Sequence, residues 1–196
     1  MKRLLELANK IKNKTLREKT IKLLKDQTPS NPDFVYPAAD FSKIPAWIGA
    51  HHNYEGGLLE HTLGVAKLAL NFADMVQETY KAKPNRDHII AGALLHDIGK
   101  VFLLKKVGKE WQFTGCLFDH AALSANELYS RGFPEEVIHI VASHGGDMGS
   151  AGANPRTLEA QIVFHADTVD AALESQINGT AQMPLQFLFM QPSEKE

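Results

Sequence analysis

The stretch "AGALLHDIGK" (91–100) decides how this chain is read. Apolar residues fill the positions before His96, as in a helix that is buried rather than half-exposed. A charged aspartate next to a histidine is then set inside that apolar surrounding. A carboxylate moved out of water needs a cationic partner, and two kinds of partner meet the need: a buried Lys or Arg, or a divalent metal held by imidazole nitrogen and carboxylate oxygen.

Outward from this stretch the pattern is helical. Leu59, Leu63, Ala66, Leu70 and Ala73 carry helical spacing over 58–80, closed by "KAKPN". A further helix starts at Asp87 and runs through Ile90, Leu94 and Leu95. Helices are predicted over 119–131, 134–144 and 156–174, and one or two over 4–26. "GGDMGSAGANP" (145–155) reads as a loop, and "KKVGKEWQF" (105–113) as a small hairpin with weak alternation. Four prolines in the 20 residues of "DQTPSNPDFVYPAADFSKIP" (26–45) mark an extended linker or wrapping arm. The expected fold class is all-α, a helical bundle with at most one small β-hairpin.

Composition narrows the class. With 44% hydrophobic and 22% charged residues, the 196-residue chain has ordinary globular values. It has no apolar run long enough to cross a bilayer and no signal-peptide block, so the expected location is cytoplasmic. Cys116 is the only cysteine, which excludes an intramolecular disulfide and any multi-cysteine zinc site. A metal here would need His and carboxylate ligands. The net charge of −2 conceals an asymmetry, because residues 1–25 hold nine Lys or Arg against Glu6 and Glu18. That segment reads either as a surface for nucleic acid or an acidic partner, or as the solvated face of an amphipathic helix whose apolar face is Leu4, Leu7, Ile11, Ile21 and Leu24.

Nine histidines are present, and several sit where helices start or end: His61, His96, His120 and His144. Alone, each is more often a hydrogen-bonded core or surface residue than a ligand. In order, however, "GGLLEHTLGVAKLA", "AGALLHDIGK", "DHAALSANEL", "ASHGG" and "FHADTVDA" resemble the successive motifs of the HD-domain metal-dependent phosphohydrolases. "PAWIGAHHNYEGGLLEHT" (45–62) is most similar to the catalytic domain of YhaM-type 3′-to-5′ exoribonucleases and shares features with HD-type relaxases.

The resemblance covers about residues 32–175. It implies three parts: 1–31 as a basic helical segment and linker start, 32–175 as the catalytic domain, and 176–196 as a C-terminal extension and tail. It further implies that His61, His96, Asp97 and Asp167 surround one divalent ion (Mn, Fe, Co, Ni or Mg), with Asp97 also facing a second. His120 and His144 would be ligands of that second ion, or phosphate-binding residues where one metal is held. Lys100 would neutralise a substrate phosphate, and Asp97 would orient the attacking water while His120 and His144 stabilise the transition state.

His51 and His52 would bind phosphate or give a proton to the leaving oxygen; the alternative is a loop held by imidazole hydrogen bonds. Asp170 is placed second, as an exposed or capping carboxylate. Two departures bear on these expectations. Gly145 stands where two-metal relatives often have a further histidine, and the roughly 30 residues ahead of the match are too few for the OB-fold of the exoribonucleases.

The expected function is a phosphohydrolase acting on a nucleotide or a single-stranded nucleic acid, although no aromatic-rich stacking platform is visible along the chain. Two alternatives are a non-catalytic nucleotide-binding sensor and a relaxase-like nuclease.

Overall fold

The computed structural model describes residues 1–146 and 153–179. Part of the loop expected at 145–155, and the tail from residue 180 onward, lie outside the described residues. Seven α-helices and one hairpin make up the described chain: α1 (Lys2–Ala8), α2 (Lys14–Lys25), α3 (Gly57–Tyr80), α4 (Arg86–Leu95), a 3-10 turn (Ile98–Phe102), β1 (Leu104–Val107), β2 (Glu110–Phe113), α5 (His120–Ser130), α6 (Glu135–Ser143) and α7 (Leu158–Ile177).

The centre is α4. Its residues Ile89 to Leu95 are buried without interruption, so beyond its first turn it has no solvent face, and α1, α2, α3, α6 and α7 all pack against it. Each fully buried Ile or Leu there contributes roughly 2 kcal/mol relative to exposure. Because α4 stops at His96 inside the bundle, the two residues that follow its apolar run arrive in the core.

Local chemistry sets the helix starts. Asn13, Asn85, Asp119 and Thr157 each cap a helix by accepting a backbone N–H from its first turn, and Pro134 precedes α6. Of the one or two helices expected over 4–26, two form, with a break at 9–13. There the backbone N–H groups of Lys12 and Asn13 donate to the Asp87 carboxylate at 2.9 and 2.8 Å, which ties the break to the start of α4. Leu4, Leu7, Ile11 and Leu24 are buried as the amphipathic reading expects, and Ile21 is half-buried.

The proline-rich segment has no regular structure and wraps the bundle. It buries Phe41 and Ile44, with Ala46 just beyond it, and joins the 3-10 turn through Ala39 N–H to Val101 O at 2.8 Å. The hairpin pairs Leu104 with Phe113 and Val107 with Glu110 in antiparallel register. No helix among the described residues is long and apolar enough to cross a membrane.

Candidate metal centre

Six of the nine histidines converge. His61 comes from near the start of α3, His96 caps α4, His120 opens α5, His144 caps α6, and His51 with His52 come from the loop between the wrapping segment and α3. His88, His139 and His165 stay outside the metal-type clusters. His61, His96 and His144 are buried, as are Asp97 and Lys100.

Asp97 lies between two imidazole pairs. Its Oδ2 is 3.4 Å from His61 Nε2 and 3.3 Å from His96 Nε2, and these nitrogens are 3.2 Å apart. Its Oδ1 is 3.4 Å from His120 Nε2 and 3.5 Å from His144 Nε2, which are likewise 3.2 Å apart. Asp167 from α7 closes the first group, with Oδ1 3.0 Å from His61 Nε2 and 3.8 Å from His96 Nε2. The six side chains assigned to a metal from the sequence therefore form one cluster, with the Asp97 carboxylate at its middle.

The tautomers make this a cage of acceptors. His96 Nδ1 faces Ala93 O at 2.9 Å and His144 Nδ1 faces Val141 O at 2.6 Å. A carbonyl can only accept, so each Nδ1 carries a hydrogen, and Nε2, the atom that offers a lone pair whenever it carries no proton, faces the centre. His61 Nδ1 is 2.8 Å from Asp170 Oδ2, which fixes the same orientation. Lone pairs and carboxylate oxygens thus face one another at hydrogen-bond distance, an arrangement that repels unless a cation stands between them.

Lys100 answers only part of that demand, its Nζ lying 2.5 Å from Asp97 Oδ2. Asp97 Oδ1 is buried and accepts no hydrogen bond from any described residue. An unpaired buried carboxylate oxygen costs several kcal/mol, so the residues present fit a divalent ion on each side of Asp97. This donor set of nitrogen and oxygen suits Mn, Fe, Co or Ni, or Mg with retained waters.

The electrostatics follow from the same geometry. Burial would pull His61 down, but the carboxylates of Asp167, Asp170 and Asp97 outweigh it and hold the ring well above the usual histidine range. His144 is raised against burial by Asp97. Burial would lift Asp97, yet Lys100 and the surrounding imidazoles keep it well below the ordinary carboxylate range. His120 and His51 are pushed down to about 3, in each case chiefly by burial.

A proton on His61 stands where a cation would bind, and the raised His61 and His144 must lose theirs to take one up. Loading the metal-stripped protein at pH 7 is expected to release about one to two protons per chain, and affinity should weaken about tenfold per pH unit for each proton displaced as pH falls. Calorimetry in buffers of different ionisation enthalpy counts those protons. Zero release would contradict the assignment.

Asp170 corrects the sequence reading. It is not a free capping carboxylate, because it orients His61 from behind and lies 3.6 Å from His52 Nε2. The approach depends on Gly64, one turn beyond His61, where a Cβ would meet Asp170 Oδ1 at 1.9 Å. Loss of such an outer carboxylate typically weakens metal binding about 10- to 100-fold, the effect expected for Asp170→Asn. Gly64→Ala should act in the same direction by evicting the same carboxylate, and competition with a metal-sensitive dye reads both.

His52 is buried with a positive φ of 49°, a conformation held by its N–H donating to Glu174 Oε2 at 2.7 Å. The His51 ring lies 4.8 Å from the His61 ring, and its Nδ1 is 3.3 Å from that of His52. Glu174 and Gly64 carried no sequence signal, since their roles exist only once α3 and α7 pack together.

Comparison with known proteins agrees with this geometry. The HD domain family matches residues 58–172. The chain is 45% identical over 175 residues to the dihydroneopterin 2′,3′-cyclic phosphate phosphodiesterase of Methanocaldococcus jannaschii, covering 88% of this chain and 70% of that protein. It is 34% identical over 147 residues to the 3′-5′ exoribonuclease YhaM of Listeria monocytogenes and 32% over 146 residues to that of Bacillus subtilis. Those alignments cover 68% and 69% of this chain but 44% and 45% of the relatives, so the chain spans under half the length of the exoribonucleases it matches. No solved structure matches the chain. With the motif order, the acceptor cage and a family match over more than half its length, this chain belongs to the HD-domain family of metal-dependent phosphohydrolases.

Proposed function

We propose that the protein is a phosphodiesterase of nucleotide-type substrates, small cyclic or linear diesters, that works with two divalent ions on either side of Asp97. The observation carrying this reading is the placement of Asp97, whose two oxygens each face an imidazole pair while Oδ1 has no hydrogen-bond partner among the described residues. The reactions named for the relatives, on a 2′,3′-cyclic phosphate and on RNA, both open a phosphodiester, which favours diester over monoester.

Divalent ions in such a cage supply positive charge against the phosphate and acidity to a water. His61, His96 and Asp167 would hold one ion, His120 and His144 the other, and Asp97 both. Asp97 would also accept a hydrogen bond from the attacking water and so aim it. Lys100 adds fixed positive charge where the transition state gains negative charge. His51, neutral near pH 7, stands beside His61, where it could hydrogen-bond a phosphoryl or leaving oxygen. Asp167 and His120, whose side chains are 20% and 22% exposed, mark the side from which substrate enters an otherwise closed site.

The test is a substrate panel on metal-stripped protein reloaded with Mn, Mg, Co, Ni or Fe: 2′,3′-cyclic nucleotides, short single-stranded RNA and p-nitrophenyl phosphate. Metal-dependent turnover of a diester, well above that of the monoester, is the expected outcome. Tight nucleotide binding without turnover under any loading would favour the sensor reading instead.

A further inference from the structure

Folding assembles a series of tilted and edge-to-face aromatic rings that the linear sequence does not display. The imidazoles of the metal centre form a continuous series of ring contacts: His51 to His61 at 4.8 Å, His61 to His96 at 5.2 Å, His96 to His144 at 5.0 Å and His144 to His120 at 5.1 Å. The series continues past the cage, from His120 to Trp47 and from Trp47 to Phe113, both at 5.7 Å between centroids. Lys100 Nζ, which holds Asp97, also stands 5.4 Å from the Trp47 ring centre.

Beyond Trp47 lies an open cleft of about 560 Å³, walled by Trp47, Leu103, Phe113, Leu117, Phe118 and Asp119. That volume is in the range of small-molecule sites. Phe113 is 50% exposed, Leu117 98% and Phe118 57%. Three large apolar side chains left in water within six residues, around one cleft, form a patch of the kind that marks a binding surface.

We propose that this cleft seats the planar heterocycle of the substrate, the base of a small phosphodiester whose phosphorus lies at the Asp97 cluster. The proposal rests on the phosphodiesterase reading. Position supports it, because the cleft adjoins His120 on the exposed side of the cage. Chemistry supports it as well: an aromatic face binds any flat heterocycle by stacking, whereas the carboxylate of Asp119 on the rim disfavours the further phosphates of a long strand. A single ring, rather than a polymer track, fits.

The decisive variant is Phe113→Ala with Phe118→Ala, two exposed residues outside the cage. Adenosine 2′,3′-cyclic phosphate is compared with 1-O-methylribose 2′,3′-cyclic phosphate, which lacks the base. The wild type should prefer the base-bearing ester, and the double variant should lose about tenfold on it, mainly through KM, with the baseless ester unchanged. In parallel, adenosine alone should quench Trp47 fluorescence in a Trp111→Phe background, with the midpoint about tenfold higher in the double variant.

If neither ester is turned over but the variant-sensitive quench remains, the ring seat stands and the phosphodiesterase reading fails. If both esters are turned over equally without a quench, the reverse holds. Equal loss on both esters overturns the proposal, as does a wild type that runs as a dimer on gel filtration and a double variant that runs as a monomer, which would make the patch a contact between copies.

Discussion

Asp97→Ala is expected to lower kcat/KM on any diester substrate by about 10³-fold or more and to weaken metal binding on both sides of the centre, leaving at most one ion per chain. Asp97 is the one side chain shared by the His61–His96 and His120–His144 groups, so neither cage survives its loss intact. The variant also strips Lys100 of a partner at 2.5 Å inside the core, and breaking a buried pair from one side costs about 3–5 kcal/mol. Asp97→Asn separates the two effects: it retains volume and an acceptor oxygen and should stay better folded, while lacking the charge that draws the ions. Activity assays beside thermal melts check this. Turnover near wild type in the Asp97→Asn variant would show that the carboxylate is not the centre of the site.

Gly99→Ala should give the second large effect without touching a ligand. A Cβ at Gly99 would meet His120 O at 2.4 Å, Ser124 N at 2.8 Å and Leu123 Cβ at 2.9 Å. Two of these are backbone atoms, so the start of α5 must move as a unit. The hydrogen bond from Gly99 N–H to Ser124 Oγ, 2.8 Å long, would go with it. His120 rides on that turn, and an ångström of displacement in a positioned group can cost about 10²-fold in kcat, with about 1–3 kcal/mol of overpacking strain. His61, His96 and Asp167 lie on other helices and should keep their ion. A metal count reduced by about one per chain, together with depressed kcat, is the expected signature. Unchanged kcat would mean that His120 is not needed where it stands.

Much of this architecture is legible in 91–100. An apolar run next to His96 and Asp97 places both in apolar surroundings, which is why they could be read as a buried pair in need of a cation; that the run is the central helix emerges only from the packing. Helix caps at Asn85, Asp119 and Thr157 also follow from local chemistry. What the sequence withholds depends on packing between distant segments. Asp170 looks like a surface carboxylate until α7 lies against α3, and Gly64 and Gly99 look like indifferent helix residues until the groups that need their missing side chains approach. Trp47 lies more than 60 residues from Phe113 and Phe118 in the sequence, so a stacking surface invisible along the chain appears only when the hairpin folds over the segment that carries Trp47. The hairpin itself shows little alternation because, of β1, only Leu104 is buried.

The central claim is that an acceptor-only cage, divided by Asp97, holds divalent cations. Elemental analysis of the purified, metal-reloaded protein at pH 8 tests it most directly, with Asp97→Ala measured alongside. About two divalent ions per wild-type chain, falling to at most one in the variant, is the result expected of a carboxylate shared between two cation positions. A correctly folded wild-type protein that retains no divalent ion under any loading would contradict the account.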